Sequence, residues 1–133
     1  MIAPNASQTS TGTRPLLRIC VALSGLSGAL GVVCLALSAH ATASGLLTTI
    51  AQMLLAHAPV FLGIGLLSQV RRAPFLPVAA TVLSLGLVLF CGDLAARIVF
   101  DHRLFPMSAP IGGGLVILSW IVLAISALRL QPR

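Results

Sequence analysis

The stretch LRICVALSGLSGALGVVCLALS, residues 17–38, carries one charge, Arg18, near its start and none after it. A helix rises about 1.5 Å per residue, so crossing a hydrocarbon core about 30 Å thick takes roughly 20 apolar residues. The run has that length. Arg14 and Arg18 before it, and Ala39-His40-Ala41 or Ala41-Thr42-Ala43 after it, also imitate a cleavable signal peptide. The apolar core of a signal peptide is shorter, about 7–15 residues. Residues 17–38 are therefore read as a retained transmembrane span.

Working outward, the same pattern recurs three times. After a turn at His40–Gly45, a second apolar run covers residues 46–68 and ends at Arg71-Arg72. Pro74 and Pro77 open a third, residues 75–95; proline suits a first helical turn, where its missing N–H is not needed. A polar loop from Arg97 to Ser108 contains Asp101, His102 and Arg103. The fourth run starts after Pro110, spans residues 111–128 and ends at Arg129 and Arg133. Residues 1–13 are small, polar and uncharged, and read as a disordered tail. No alternating strand pattern is present. The expectation is an all-α fold, a four-transmembrane-helix bundle over residues 14–133.

Composition supports lipid as the solvent. Charged residues make up 8% and apolar residues 58%, whereas a soluble domain carries about a quarter charged residues. Asp93 and Asp101 are the only acids, Glu, Lys and Tyr are absent, and all eight basic residues are Arg. The net charge of +6 forms no basic run or aromatic-interleaved face of the kind nucleic acid requires. Instead the arginines flank apolar runs. Four spans place Arg14, Arg18, Arg71, Arg72, Arg129 and Arg133 on one side, and Arg97 and Arg103 on the other with both acids. Positive charge concentrates in cytoplasmic loops. Both termini are therefore expected on the cytoplasmic side.

The candidate functional residues follow from depth. His57 lies eleven residues into the second run (46 to 57), about 16 Å deep, and an ionisable residue there is a functional candidate by default. Its plainer role is a neutral imidazole bonded to the backbone or a hydroxyl of a neighbouring helix. Two residues on, Pro59 leaves the carbonyl of Leu55 without its helical partner. Asp93 falls near the end of the third run, and Arg97 follows at the four-residue spacing of a same-face ion pair. With His40 these two could instead form an outward-facing polar pocket. His40, Asp93 and His102 are metal ligands by type, but their spacing matches no compact motif, so no metal or other cofactor is expected.

Small residues should set helix packing, because apolar helices in lipid associate through close approach. Ser24/Gly28, Gly25/Ala29 and Ser27/Gly31 recur at four-residue spacing in the first span, and Gly28 is the expected packing residue there. Gly112 and Gly113 take that role in the fourth, where Gly112-Gly113-Gly114 could also be a helix start binding an anion through free N–H groups. Trp120 reads as core packing. The three cysteines, Cys20, Cys34 and Cys91, show no C-x-x-C spacing. No nucleophile elbow, phosphate loop, zinc-protease or dinucleotide motif occurs, so an enzyme is not expected. Small multidrug antiporters share the size and span count but depend on an acid in the first span, and this one has none.

Several segments together resemble the bacterial domain-of-unknown-function family numbered 423, the YgdD/YwdK-like small membrane proteins, from about Leu17 to Leu130. Leu35-Ala36-Leu37-Ser38-Ala39-His40 is similar to the family's G-A-F-G-A-H, and Ala56-His57-Ala58 follows in order. Leu89-Phe90-Cys91-Gly92-Asp93-Leu94 is similar to L-F-S-G-S-L-Y, and Pro110-Ile111-Gly112-Gly113 with Trp120 to T-P-I-G-G…G-W. The chain departs from it at Met53-Leu54-Leu55-Ala56-His57, where the family has Y-Q-x-x-H, at Asp93, where Ser is commoner, and at Ser119, which replaces Gly. The resemblance implies an inner-membrane four-helix protein and supplies no reaction, substrate or cofactor. Two functions remain open. One is a protein acting through helix contacts with itself or another membrane protein. The other is a small transporter or channel subunit with a polar path near His57 and Asp93.

Overall fold

The computed structural model describes residues 15–40 and 44–132; the expected N-terminal tail, Arg14, the turn at 41–43 and Arg133 lie outside them. Four helices follow one another: α1 (Pro15–Ser38), α2 (Ser44–Val70), α3 (Leu76–Phe100) and α4 (Ser108–Ala127). Each is long and apolar enough to cross a membrane, and the fold is an all-α four-helix bundle. With apolar residues turned outward along α1 and α4, such as Val32, Val33, Ile117 and Ile121, this is a small membrane protein.

Two boundaries differ from the expected ones for local reasons. α3 runs on past residue 95 to Phe100 because Arg97 pairs back to Asp93 one turn earlier, so Arg97 sits inside the helix and not in the loop. The helix stops at Asp101, whose φ of 58° places it in the left-handed region that Asp tolerates better than most residues. α4 starts at Ser108, three residues before the expected 111, following Met107 at φ 72°. Pro110 then falls in the first turn, where its missing N–H costs no helical bond. Gly112 is a full turn inside α4, beyond the N–H groups that a helix start leaves free. The glycine run is therefore no anion-binding helix start.

One element has no precursor in the sequence pattern. β1 (Arg71–Arg72) pairs antiparallel with β2 (Gln131–Pro132), Arg71 opposite Pro132 and Arg72 opposite Gln131. Two residues are too few to leave an alternation. The pair ties the segment after α4 to the α2–α3 turn.

The helices pack antiparallel as two hairpins, α1 on α2 and α3 on α4, joined through α2 and α3. The connections α1–α2 and α3–α4 share one end, here the hairpin end; β1, β2 and the start of α1 share the other, the terminal end. Close approach occurs where side chains vanish. A Cβ built on Gly31 would lie 2.7 Å from the Leu55 side chain, and one on Gly65 2.8 Å from Cys20. Between α3 and α4, Gly86 and Gly112 face each other, each hypothetical Cβ falling 2.9 Å from the other's carbonyl oxygen. The packing expected at Gly28 is made at Gly31, since Gly28 has nothing within 4 Å and Gly113 makes only an ordinary contact, at 3.8 Å, with Phe90. The core runs the length of the bundle, from Cys20, Ile64 and Leu76 through Phe61, Leu83 and Val116 to Ile50, Cys91 and Leu94.

Candidate functional site

Two polar clusters interrupt this apolar interior. The first joins α2 to α4. His57 is 6% exposed, and its Nδ1 lies 2.7 Å from the carbonyl oxygen of Met53. A carbonyl can only accept, so Nδ1 carries the hydrogen and Nε2 presents a lone pair. That lone pair accepts the indole N–H of Trp120 at 3.2 Å. The rings meet edge to face, centroids 6.0 Å apart. Both imidazole nitrogens are thus occupied in the neutral tautomer. Trp120, expected in the core, is 47% exposed and offers its polar edge inward while its ring looks outward.

The second cluster closes the hairpin end, around Asp93 on α3. Its side chain has no accessible surface. The Oδ2 atom accepts from Arg97 Nε at 2.9 Å and Nη2 at 2.5 Å. The Oδ1 atom accepts the Leu104 backbone N–H at 3.1 Å and the Ser108 hydroxyl. Ser108 Oγ also lies 2.9 Å from the Phe105 carbonyl; its single hydrogen serves one partner at a time, and the ionised one binds it more strongly. The left-handed Met107 turns the chain so that Ser108 points back at α3. A carboxylate with two N–H donors from one guanidinium and two neutral donors is well compensated for its removal from water.

The remaining candidates stand apart. His40, at the end of α1, is exposed. His102 is exposed too, its Nδ1 donating to the Arg103 carbonyl at 3.0 Å and its ring stacked on Phe100 at 5.8 Å. The outward-facing pocket of His40 with Asp93 is not formed, because the loop from Leu104 to Ser108 covers the carboxylate. Among the described residues no group of three His, Cys, Asp or Glu side chains is placed to hold a metal ion. Sequence reasoning missed the partners of both clusters, Ser108 and the Leu104 amide for Asp93 and the Trp120 indole for His57. Only the rule that a membrane-embedded ionisable side chain needs partners pointed towards them.

Beside these clusters, an apolar groove of about 500 Å³ opens between α1 and α3 over α2. Leu30, Leu54, Leu87 and Cys91 line it, and Ser27 and Ser84 supply the only hydroxyls. Its thiols are those of Cys34 and Cys91, and its lining holds no His, Asp, Glu, Lys or Arg side chain.

A family model described as "Protein of unknown function (DUF423)" matches residues 26–113. The match takes in His40, His57, Asp93 and the Gly112-Gly113 pair and leaves Trp120 outside. No curated protein and no solved structure matches. The chain belongs to the DUF423 family.

Proposed function

We propose that this DUF423 protein is a multi-pass protein of a bacterial inner membrane, both termini cytoplasmic, that acts without catalysis of its own through helix contacts with a second copy or another membrane protein. The arginine distribution supports the orientation, with Arg18, Arg71, Arg72 and Arg129 at the terminal end and Arg97 and Arg103 at the other. The observation that carries the functional reading is the open small-residue face of α1. Gly31 and Gly65 are filled by their neighbours, whereas Gly25 and Gly28 have nothing within 4 Å. Of the α1 span only 17% is buried, against 44% for α2 and α3. Without a hydrophobic drive between helices in lipid, association depends on such close-approach faces, and this one is left unused by the chain itself.

The alternative, a transporter or channel subunit with its path near His57 and Asp93, is weaker on this geometry. Both nitrogens of His57 and both oxygens of Asp93 already hold partners, and a conducting path would have to break them.

Native mass spectrometry of the protein extracted from its own membranes in mild detergent tests the reading. The wild-type chain is expected in a homo-oligomer or bound to a second membrane protein. Gly28→Leu should release it as a monomer of unchanged helical content. A wild-type chain that is monomeric under conditions preserving other membrane complexes would sink the idea.

A further inference from the structure

A cavity of about 670 Å³ opens at the terminal end between the start of α1 and the α2–α3 turn. Pro15, Leu16, Ala73, Pro74 and Pro77 give it an apolar wall, and Ser68, Arg71 and Arg72 a polar one. The β1–β2 pairing fixes the backbone of the two arginines, while their side chains are exposed. Neither has an ion-pair partner among the described residues, nor does Arg18 or Arg129 at the same end. Both aspartates of the sequence lie towards the opposite end. An arginine pair with no acidic partner among the described residues thus faces a cavity at the ends of the spans, where headgroups lie when such helices cross a bilayer.

We propose that this cavity binds the phosphate headgroup of an anionic phospholipid, with Arg71 and Arg72 as the donors. Guanidinium groups match phosphate oxygens in geometry as well as charge, two N–H bonds to one anion. Basic pockets between spans on the cytoplasmic side are suited to such headgroups, and each arginine adds to the attraction. The apolar wall favours an amphiphile over a free ion, since Leu16 and the three prolines offer a hydrated phosphate nothing. The site lies at the other end of the bundle from the Asp93 cluster and away from the Gly25/Gly28 face, so it stands independently of the helix-contact reading.

The test is lipid retention by the full-length protein in mild detergent, read by native mass spectrometry. Phosphatidylglycerol and phosphatidylcholine are titrated in parallel, with inorganic phosphate as competitor. Wild type should retain phosphatidylglycerol over phosphatidylcholine by about tenfold or more, and Arg71→Gln/Arg72→Gln should lose roughly 10- to 30-fold of that retention. Arg103→Gln, at the hairpin end, should leave it unchanged. Arg71→Lys/Arg72→Lys keeps the charge and should fall between the two, which covers the event that the glutamine pair does not fold. Equal retention of the two lipids, an equal loss in Arg103→Gln, or no loss in either double variant overturns the proposal. Displacement by inorganic phosphate as effective as by lipid would assign the site to a soluble oxyanion and overturn it equally.

Discussion

His57 and Trp120 hold one hydrogen bond between two helices that touch little elsewhere. Trp120→Phe keeps the aromatic edge but removes the N–H, leaving the Nε2 lone pair of a buried imidazole unpaired. Interhelical hydrogen bonds in membrane proteins contribute about 0.6 kcal/mol on average and up to about 1.7. The variant is expected to lose about 1 kcal/mol in detergent-induced unfolding followed by circular dichroism. A loss well above that range would mean that His57 anchors more than this bond. At this scale the mid-helix position of His57 was legible, because counting along a helix is enough. Its partner was not, since Trp120 is 63 residues away and only the placement of α4 brings it near. Asp93 divides the same way: Arg97 was legible from four-residue spacing, whereas Leu104 and Ser108 needed the backward turn at Met107.

Each helix was legible as an element because length and hydropathy are local properties of the chain. Its neighbours were harder to read. Among glycines the sequence cannot separate those that face a helix from those that face lipid, and the structure separates Gly31 from Gly28 and Gly112 from Gly113. A methyl group on Gly112 would come 2.5 Å from the Phe90 backbone nitrogen and 2.9 Å from the Gly86 oxygen. Both atoms are α3 backbone, which cannot step aside cheaply as a flexible side chain would. Gly112→Ala should therefore destabilise the α3–α4 hairpin by about 1–3 kcal/mol, the usual range for overpacking. Gly114→Ala, with nothing within 4 Å, should be neutral or gain a few tenths from helix propensity. Thermal unfolding midpoints of the two variants in one detergent check the contrast. Comparable losses in both would show that helix packing at Gly86 and Gly112 is not what holds the hairpin.

Over the whole molecule, two helix hairpins meet through α2 and α3, and charge is sorted to the two ends. That sorting was legible, because arginine counts need no structure. The arrangement in hairpins was not, because four similar apolar runs do not say which pairs touch. The proposed orientation is checked by single cysteines labelled with a membrane-impermeant thiol reagent on intact cells, with the wild-type chain as background. His102→Cys should label directly, and Arg72→Cys only after the cells are permeabilised; the reverse pattern would invert the topology. The enclosure of Asp93 also bears on how such a chain comes into being. Its carboxylate finds its full set of donors only when Leu104 and Ser108 are in place, eleven and fifteen residues later in synthesis. Until then α3 carries an ion pair only half shielded from the hydrocarbon. The third helix should thus wait at the insertion machinery for the fourth, and the two should enter the bilayer together.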